Sequence, residues 1–225
     1  MNSSDTTAGL NMFISYEKKI IFVHVPKTAG TSIRTALKNS VADDAHNLLL
    51  PDVRRRLREA RPGLGLVPPH LSIKHLNFFD IDVEDFDVFV SVRDPVERFV
   101  SLFNYITKNN TQHALHQEAK RAGFEKTAEY LIRVQNEYPE RLPQHWFYQT
   151  NSFLENSHFI RTERIENDIK PLLKKIGLNP ESLPHENSSQ NSPIKISERI
   201  RNLILDHENV TCRLFGYDYS APKTA

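Results

Sequence analysis

The stretch IIFVHVPKTAGTS, residues 20–32, decides the fold class of this chain. Ile20–Val23 begins a run that is apolar on both faces and continues to Val25, as is typical of a central strand in a parallel sheet. Pro26 ends that run, and small residues follow. Ile33 and Leu37 then recur at helical spacing. Strand, loop and helix in this order predict an α/β unit.

The loop of this unit, PKTAGTS, has the composition of a phosphate-binding loop with its lysine displaced. A nucleotide P-loop, G-x-x-x-x-G-K-[ST], carries lysine near its end, whereas Lys27 comes first here. Small residues let the backbone N–H groups close around an anion at the positive end of the next helix. The residues predicted to bind this anion are Lys27, Thr28, Ala29, Gly30, Thr31 and Ser32. The alternative is a plain strand-to-helix turn with a surface lysine.

A second anion site is predicted in SVRDPVERFVSLFNY, residues 91–105. Arg93 follows a strand and precedes a helix, which is where ligands collect in parallel sheets. Asp94 is the expected N-cap of that helix, and Ser101 lies two turns further along the same face. Arg93 and Ser101 are therefore predicted to bind one phosphate, with Arg98 flanking them. The alternative is a capped helix whose arginines form surface or core ion pairs.

The rest of the chain repeats the alternation of strands and helices. FDVFVSV at 86–92 and SHFIRTE at 157–163 are further predicted strands. Helices are predicted at 94–105, at 111–135, up to residue 176 with a stop at Gly177, and at 194–208. The fold class is α/β, a P-loop-like three-layer fold with a central, mainly parallel sheet flanked by helices. One domain over 13–219 is expected, between a flexible N-terminus at 1–12 and a flexible tail at 220–225.

Composition excludes several classes of protein. The 225 residues are 39% hydrophobic and 25% charged, with a formal net charge of +1, which is ordinary for a globular protein and argues against a nucleic-acid-binding surface. Cys212 is the one cysteine, so no internal disulfide can form. No apolar stretch approaches the roughly 18 residues of a membrane span, so a cytoplasmic protein without stable membrane insertion is expected.

HVPKTAGTS followed by RDPVERFVS resembles the cytosol-type, family 2 branch of the sulfotransferases, which includes the carbohydrate and heparan sulfate O-sulfotransferases. Weaker matches, among them LPQHWFYQ at 142–149, extend the resemblance from about residue 20 to residue 218. It implies that the first loop binds the 5′-phosphosulfate of 3′-phosphoadenosine 5′-phosphosulfate (PAPS). It also implies that Arg93 and Ser101 bind the 3′-phosphate.

The implied activity is transfer of a sulfuryl group from PAPS to a hydroxyl of a carbohydrate acceptor. Lys27 would stabilise the leaving group, and no metal is expected. A histidine is the natural base near neutral pH, and VPPHLSIKHLNFF offers His70 and His75. His70 aligns better with the family's base, although Pro69 replaces the usual glycine. His24, within the first strand region, is expected to be structural.

Two other functions stay open from the sequence. One is a small-molecule kinase of the P-loop type with Mg²⁺-dependent ATP turnover, which the displaced lysine disfavours. The other is a non-catalytic module that binds a nucleotide or a sulfated glycan. The absence of an anchor favours a bacterial enzyme that modifies a glycan, glycolipid or polysaccharide precursor. Neither the acceptor hydroxyl nor the oligomeric state is readable from the sequence.

Three further features have both a functional and an ordinary interpretation. The basic cluster Arg54–Arg61 is either a solvated helix face or a contact surface for an acidic glycan. His113 and His116 have the spacing of two metal ligands on a helix, but no third ligand is evident nearby. Trp146 and Tyr148 either line a sugar site or belong to the core.

Overall fold

A computed structural model describes residues 12–30, 32, 33, 37, 72–74, 76, 81–133, 142–149, 157–178 and 194–217. The chain divides into two compact units. Unit 1 comprises Met1–Val92 and Trp146–Glu186, and unit 2 comprises Arg93–His145 and Asn187–Ala225. The single domain over 13–219 stays a prediction.

Unit 1 contains a four-stranded sheet. Its strands are β1 (Met12–Ser15), β2 (Ile20–Val23), β3 (Asp87–Val92) and β4 (Ser157–Arg161), and they lie in that order. β1 is antiparallel to β2, whereas the pairs β2–β3 and β3–β4 are parallel. The prediction of a central, mainly parallel sheet is confirmed, and the carboxyl ends of β2, β3 and β4 point to the same edge.

The helices also follow the predicted alternation. Backbone at 30, 32, 33 and 37 is helical, and the further helices are α1 (Pro95–Asn104), α2 (His116–Arg133), α3 (His145–Tyr148), α4 (Ile165–Asp168), α5 (Lys170–Ile176), α6 (Glu198–His207) and α7 (Asn209–Phe215). A π-helical turn, Tyr105–Asn109, follows α1 directly. Among the helices that the structure describes, none has the length and apolarity needed to cross a membrane.

The two inner strands of the sheet are buried on both faces, as their unbroken apolar sequence predicts. On one face Phe22 and Phe89 pack against Ile33 and other residues of the flanking helices. The full cluster on this face is Ile20, Phe22, Ile33, Leu37, Phe89, Ile160, Ile169, Leu172, Leu173 and Ile176. On the other face Ile21 and Val88 are fully buried as well. Both faces of the sheet are covered. The loops that follow β2 and β3 therefore begin from well-packed strands.

β1 is a strand that the sequence did not predict. Its four residues, MFIS, follow a small polar stretch, and the predicted flexible N-terminus extends to residue 12, which is the first residue of this strand. The turn at 16–19 that joins β1 to β2 holds Lys19 in a left-handed conformation, with φ of 53°. Without glycine or proline in YEKK, the sequence carries no ordinary turn signal.

Unit 2 has its own core, formed by one face each of α1, α2 and α6. Val96, Phe99 and Val100 are buried there, and Phe103 packs against the cluster while half-buried. Its ring meets that of Phe124 edge to face at 5.7 Å between centroids. The apolar face of the amphipathic helix α1 is therefore buried against α2 and α6.

Local signals at the helix ends are confirmed. The Asp94 carboxylate accepts from the N–H groups of Val96 at 2.9 Å and Glu97 at 3.1 Å, so Asp94 caps α1. Gly177 ends α5 with a left-handed φ of 75°. Several predicted boundaries differ from the structure, and α2 begins at His116 rather than at residue 111. The helix predicted to end at residue 176 is divided into α4 and α5, and a further helix, α7, follows the last predicted one.

Candidate active site

The loop after β2 has an unusual backbone. Lys27 and Ala29 are both left-handed, with φ of 68° and 58°, whereas Thr28 and Gly30 are not. Such conformations cost an L-residue about 1–2 kcal/mol each. Alternation between left-handed and ordinary residues turns successive N–H groups toward one concave side, which is an anion-binding arrangement. The strain is localised where the sequence predicts an anion, and helical backbone begins at Gly30.

The side chain of Thr28 holds this loop in place. Its hydroxyl donates to the carbonyl oxygen of Val25 at 2.7 Å and lies 2.6 Å from the Ser91 hydroxyl of β3. Because a hydroxyl has one proton, Ser91 is the donor in the second bond. The side chain of Thr28 is 1% exposed. The hydroxyl proton of Thr28 is therefore used in the bond to Val25 within the loop. Its backbone N–H is the group that remains to bind an anion.

Gly30 is required by its close contact with His24. A Cβ atom at position 30 would lie 2.0 Å from Cδ2 of the His24 ring, which is itself buried and stacked on Phe22. The His24 ring therefore packs directly against the first residue of the helix. This placement agrees with the structural role that the sequence predicts for His24.

Gly30→Ala is expected to lower the free energy of unfolding by about 1–3 kcal/mol, because the new methyl group overpacks a buried ring. The same substitution in a His24→Ala background removes the clash. There it is expected to be neutral or stabilising, because Gly30 has helical backbone and alanine is the better helix former. Denaturant unfolding of the four proteins measures the coupling. Equal costs of Gly30→Ala in both backgrounds would contradict this packing.

The remaining predicted residues of the loop are only partly described. Lys27 and Ala29 are half-buried and Ser32 is buried, at 7% exposure. Thr31 lies outside the described residues, as do both candidate bases, His70 and His75, and the basic cluster Arg54–Arg61. The structure thus gives the geometry of the first half of the loop.

In unit 2, Arg93 directly precedes the N-cap of α1. Its side chain is 18% exposed, and its guanidinium lies 3.6 Å from the Glu97 carboxylate. Ser101 is half-buried within α1, and no residue that the structure describes hydrogen-bonds to its hydroxyl. A guanidinium beside a helix N-terminus favours an anion.

A buried network holds the backbone of Arg93. The Gln144 side-chain amide accepts from the Arg93 N–H at 2.9 Å and donates to the Arg93 carbonyl at 2.7 Å. The Gln144 N–H donates to Glu208 at 2.9 Å, and Arg98 donates to the other carboxylate oxygen at 2.7 Å. Arg98 was expected to flank the anion face; this is wrong, because its side chain is 1% exposed and paired with Glu208. Of the two interpretations of the helix, the core ion pair applies to Arg98.

Other candidate residues have structural contacts. His113 Nδ1 accepts from the N–H of Leu115, and His116 Nδ1 is 2.7 Å from the carbonyl oxygen of Ile106. In the described part of the chain, no group of three metal-ligating side chains comes together. Tyr148 is fully buried, with its ring against Phe159, so of its two interpretations the core applies. Trp146 is half-buried, with its ring edge to face with Phe147.

The one cysteine of the chain is not a nucleophile in this arrangement. Burial, followed by the negative charges of Glu208 and Asp94, raises the pKa of the Cys212 thiol to about 11. The thiol therefore stays protonated at neutral pH. Because the thiolate is the reactive form, covalent catalysis by Cys212 is disfavoured.

The family assignment comes from a comparison with protein-family models. The model described as the sulfotransferase family matches residues 10–206, which include the loop at Lys27 and both flanks of Arg93. The chain belongs to the sulfotransferase family. Its members transfer a sulfuryl group and generally use PAPS as donor. No curated protein and no solved structure matches the chain.

Membership of the sulfotransferase family decides between the functions that the sequence left open. The protein is an enzyme, a sulfotransferase, rather than a P-loop kinase or a non-catalytic module. The order of strand, lysine-first loop and helix that suggested the resemblance lies within the matched residues. A bacterial source and a cytoplasmic location stay predictions.

Proposed function

We propose that this sulfotransferase takes the sulfuryl group from PAPS and transfers it to a hydroxyl of a carbohydrate or glycolipid acceptor. The observation that carries the donor assignment is the backbone of the loop after β2. Its alternating conformation at Lys27–Gly30 directs N–H groups to one side at the start of a helix. A phosphosulfate, with several anionic oxygens, matches this set of donors.

The loop residues have different tasks in this proposal. Backbone N–H groups from Thr28 to Ser32 hold the 5′-phosphosulfate, and the hydroxyls of Thr31 and Ser32 add donors. The Thr28 hydroxyl instead holds the loop against β3 through Ser91. Gly30 lets the start of the helix pack directly on the His24 ring, because a Cβ atom there would clash with that ring.

The 3′-phosphate is assigned to Arg93 and Ser101. Arg93 directly follows β3 in the chain, and β3 is the parallel neighbour of β2, which leads into the loop. The guanidinium offers a planar fork of N–H donors to a phosphate, and the hydroxyl of Ser101 offers one more. Glu97, at 3.6 Å, keeps the Arg93 side chain near the helix N-terminus.

The chemistry needs positioning and charge stabilisation more than covalent catalysis. When bound, PAPS supplies an activated sulfuryl group with a nucleotide leaving group. Lys27 supplies a positive charge beside the loop, where negative charge grows as the leaving group departs. His70 is proposed to accept the proton of the acceptor hydroxyl, and His75 is the second candidate. The cluster Arg54–Arg61 is proposed to favour acidic acceptors.

An assay of sulfate transfer tests this function. Purified protein with radiolabelled PAPS is offered uronate-containing oligosaccharides, neutral oligosaccharides, glycolipids and a phenol. We expect label in a carbohydrate acceptor, with loss of transfer in His70→Ala and retention in His75→Ala. Label in the phenol alone would refute a carbohydrate acceptor. Full activity of His70→Ala would refute the assignment of the base.

A further inference from the structure

The two hydrogen bonds between Gln144 and Arg93 form a clamp on one peptide backbone. The amide oxygen accepts from the Arg93 N–H at 2.9 Å, and the amide nitrogen donates to the Arg93 carbonyl at 2.7 Å. Together they fix the peptide planes on both sides of the Arg93 Cα atom. The direction in which the Arg93 side chain leaves the backbone is fixed with them.

Gln144 is held in turn by a buried ion pair. The Glu208 carboxylate accepts from Arg98, from the Gln144 N–H and from the Thr211 hydroxyl, at 2.7, 2.9 and 3.0 Å. Arg98 also donates to the carbonyl oxygen of Leu142 at 3.0 Å. Glu208 and Gln144 are fully buried, and Arg98 is 1% exposed. The segment at 142–144 is thus fixed at both of its ends.

Burial of a charged pair is weak evidence for stability, because the cost of removing two ions from water offsets their attraction. A fixed geometry is what this network supplies instead. An arginine has many rotamers, and a phosphate gains most from a guanidinium that is already placed before binding. Loss of the Gln144 hydrogen bonds leaves the Arg93 guanidinium chemically intact but displaced. A displaced guanidinium makes weaker charge-assisted hydrogen bonds to the phosphate.

We propose that Gln144 is a positioning residue for the nucleotide donor. It fixes the backbone of Arg93, with the Arg98–Glu208 pair as its support, so that the guanidinium meets the 3′-phosphate in one geometry. This inference rests on the proposed function, because it requires Arg93 to bind the 3′-phosphate. It adds residues from three distant parts of the chain to that task.

Calorimetry with two nucleotides tests the inference. Gln144→Met keeps the size of the side chain but cannot hold either hydrogen bond to Arg93. We expect its Kd for adenosine 3′,5′-bisphosphate to rise about tenfold to a hundredfold, because the charge-assisted hydrogen bonds to the 3′-phosphate are weakened. Its Kd for AMP, which lacks the 3′-phosphate, is expected to stay within about twofold, because AMP makes no use of Arg93. Gln117→Met, at an exposed position of α2, is the matched control and should change neither value.

A double-mutant cycle distinguishes the positioning role of Gln144 from the proposed binding of the 3′-phosphate by Arg93. In an Arg93→Ala background, Gln144→Met should cause no further loss of bisphosphate binding. If Arg93→Ala itself leaves bisphosphate binding intact, the proposed 3′-phosphate site and the inference both fail. If Arg93→Ala weakens binding while Gln144→Met weakens both nucleotides equally, or adds fully to Arg93→Ala, only the positioning role fails.

Arg98→Lys keeps the test decisive if Gln144→Met folds poorly by circular dichroism. Lysine retains the charge opposite Glu208, but it lacks the planar fork that reaches Glu208 and the Leu142 carbonyl together. We expect a smaller loss of affinity, about threefold to tenfold, and only for the bisphosphate. Unchanged bisphosphate binding in a folded Arg98→Lys protein would overturn the supporting role of the ion pair.

Discussion

Replacing Lys27 by alanine is expected to lower kcat for sulfate transfer by about 10²–10³, with little change in the free energy of unfolding. One group that stabilises developing charge contributes about 2.7–4 kcal/mol to the transition state. Lys27 is half-buried at the start of the strained loop, where low dielectric strengthens its field. Because alanine keeps the backbone of position 27, the loop geometry should survive. Initial rates at saturating donor measure the effect.

Lys19→Ala is the matched control for this substitution. Lys19 is also a left-handed lysine of unit 1, with φ of 53°, but it is exposed and lies over the Phe86 ring. Any general effect of replacing a left-handed lysine by alanine should appear in both variants. We expect Lys19→Ala to keep kcat within about twofold of the wild type. A Lys27→Ala enzyme with the same kcat as Lys19→Ala would remove Lys27 from the catalytic mechanism.

Glu208→Ala is expected to have the largest effect on stability, a loss of about 3–5 kcal/mol in the free energy of unfolding. The substitution leaves the guanidinium of Arg98 buried without its counter-ion. It also leaves the Gln144 N–H and the Thr211 hydroxyl without their acceptor. Urea unfolding followed by circular dichroism measures the loss. The exposed carboxylate of Glu118, paired with Arg121 at 2.7 Å, is the control, and Glu118→Ala should be indistinguishable from the wild type.

Removing both partners of the buried pair tests the physical reason. Arg98→Met with Glu208→Leu leaves no uncompensated charge in the core. The double variant is therefore expected to lose less stability than the sum of Arg98→Met and Glu208→Leu. A strictly additive loss of stability in the double variant would mean that the two charges contribute independently. A Glu208→Ala protein as stable as the wild type would mean that the ion pair is not buried in solution.

Local sequence patterns predicted the parts of the fold that local physics determines. The apolar runs in β2 and β3 required a sheet covered on both faces, and both strands are buried on both faces. Asp94 followed by proline predicted where α1 begins, and Gly177 predicted where α5 ends. In each of these cases the residues that form the structure lie within a few positions of one another.

Contacts between distant parts of the chain explain what the sequence did not predict. Arg98 and Glu208 are 110 positions apart, and nothing beside either residue indicates the other. The sequence around Gln144 likewise does not indicate that its amide binds the backbone of Arg93, 51 positions away. The Thr28 hydroxyl bonds across to Ser91, 63 positions away, and nothing in the loop sequence indicates that contact. An exposed arginine and a buried one look the same in sequence.

We propose that Lys27–Ser32 and Arg93 with Ser101 bind the two phosphate groups of one nucleotide. Calorimetric titration of the wild type and Arg93→Ala with adenosine 3′,5′-bisphosphate and with ATP·Mg²⁺ tests it most directly. We predict that the wild type binds the bisphosphate at least about tenfold more tightly than ATP·Mg²⁺, and that Arg93→Ala loses this preference. Equal affinity of the wild type for both nucleotides, or a preference that survives Arg93→Ala, would contradict the claim.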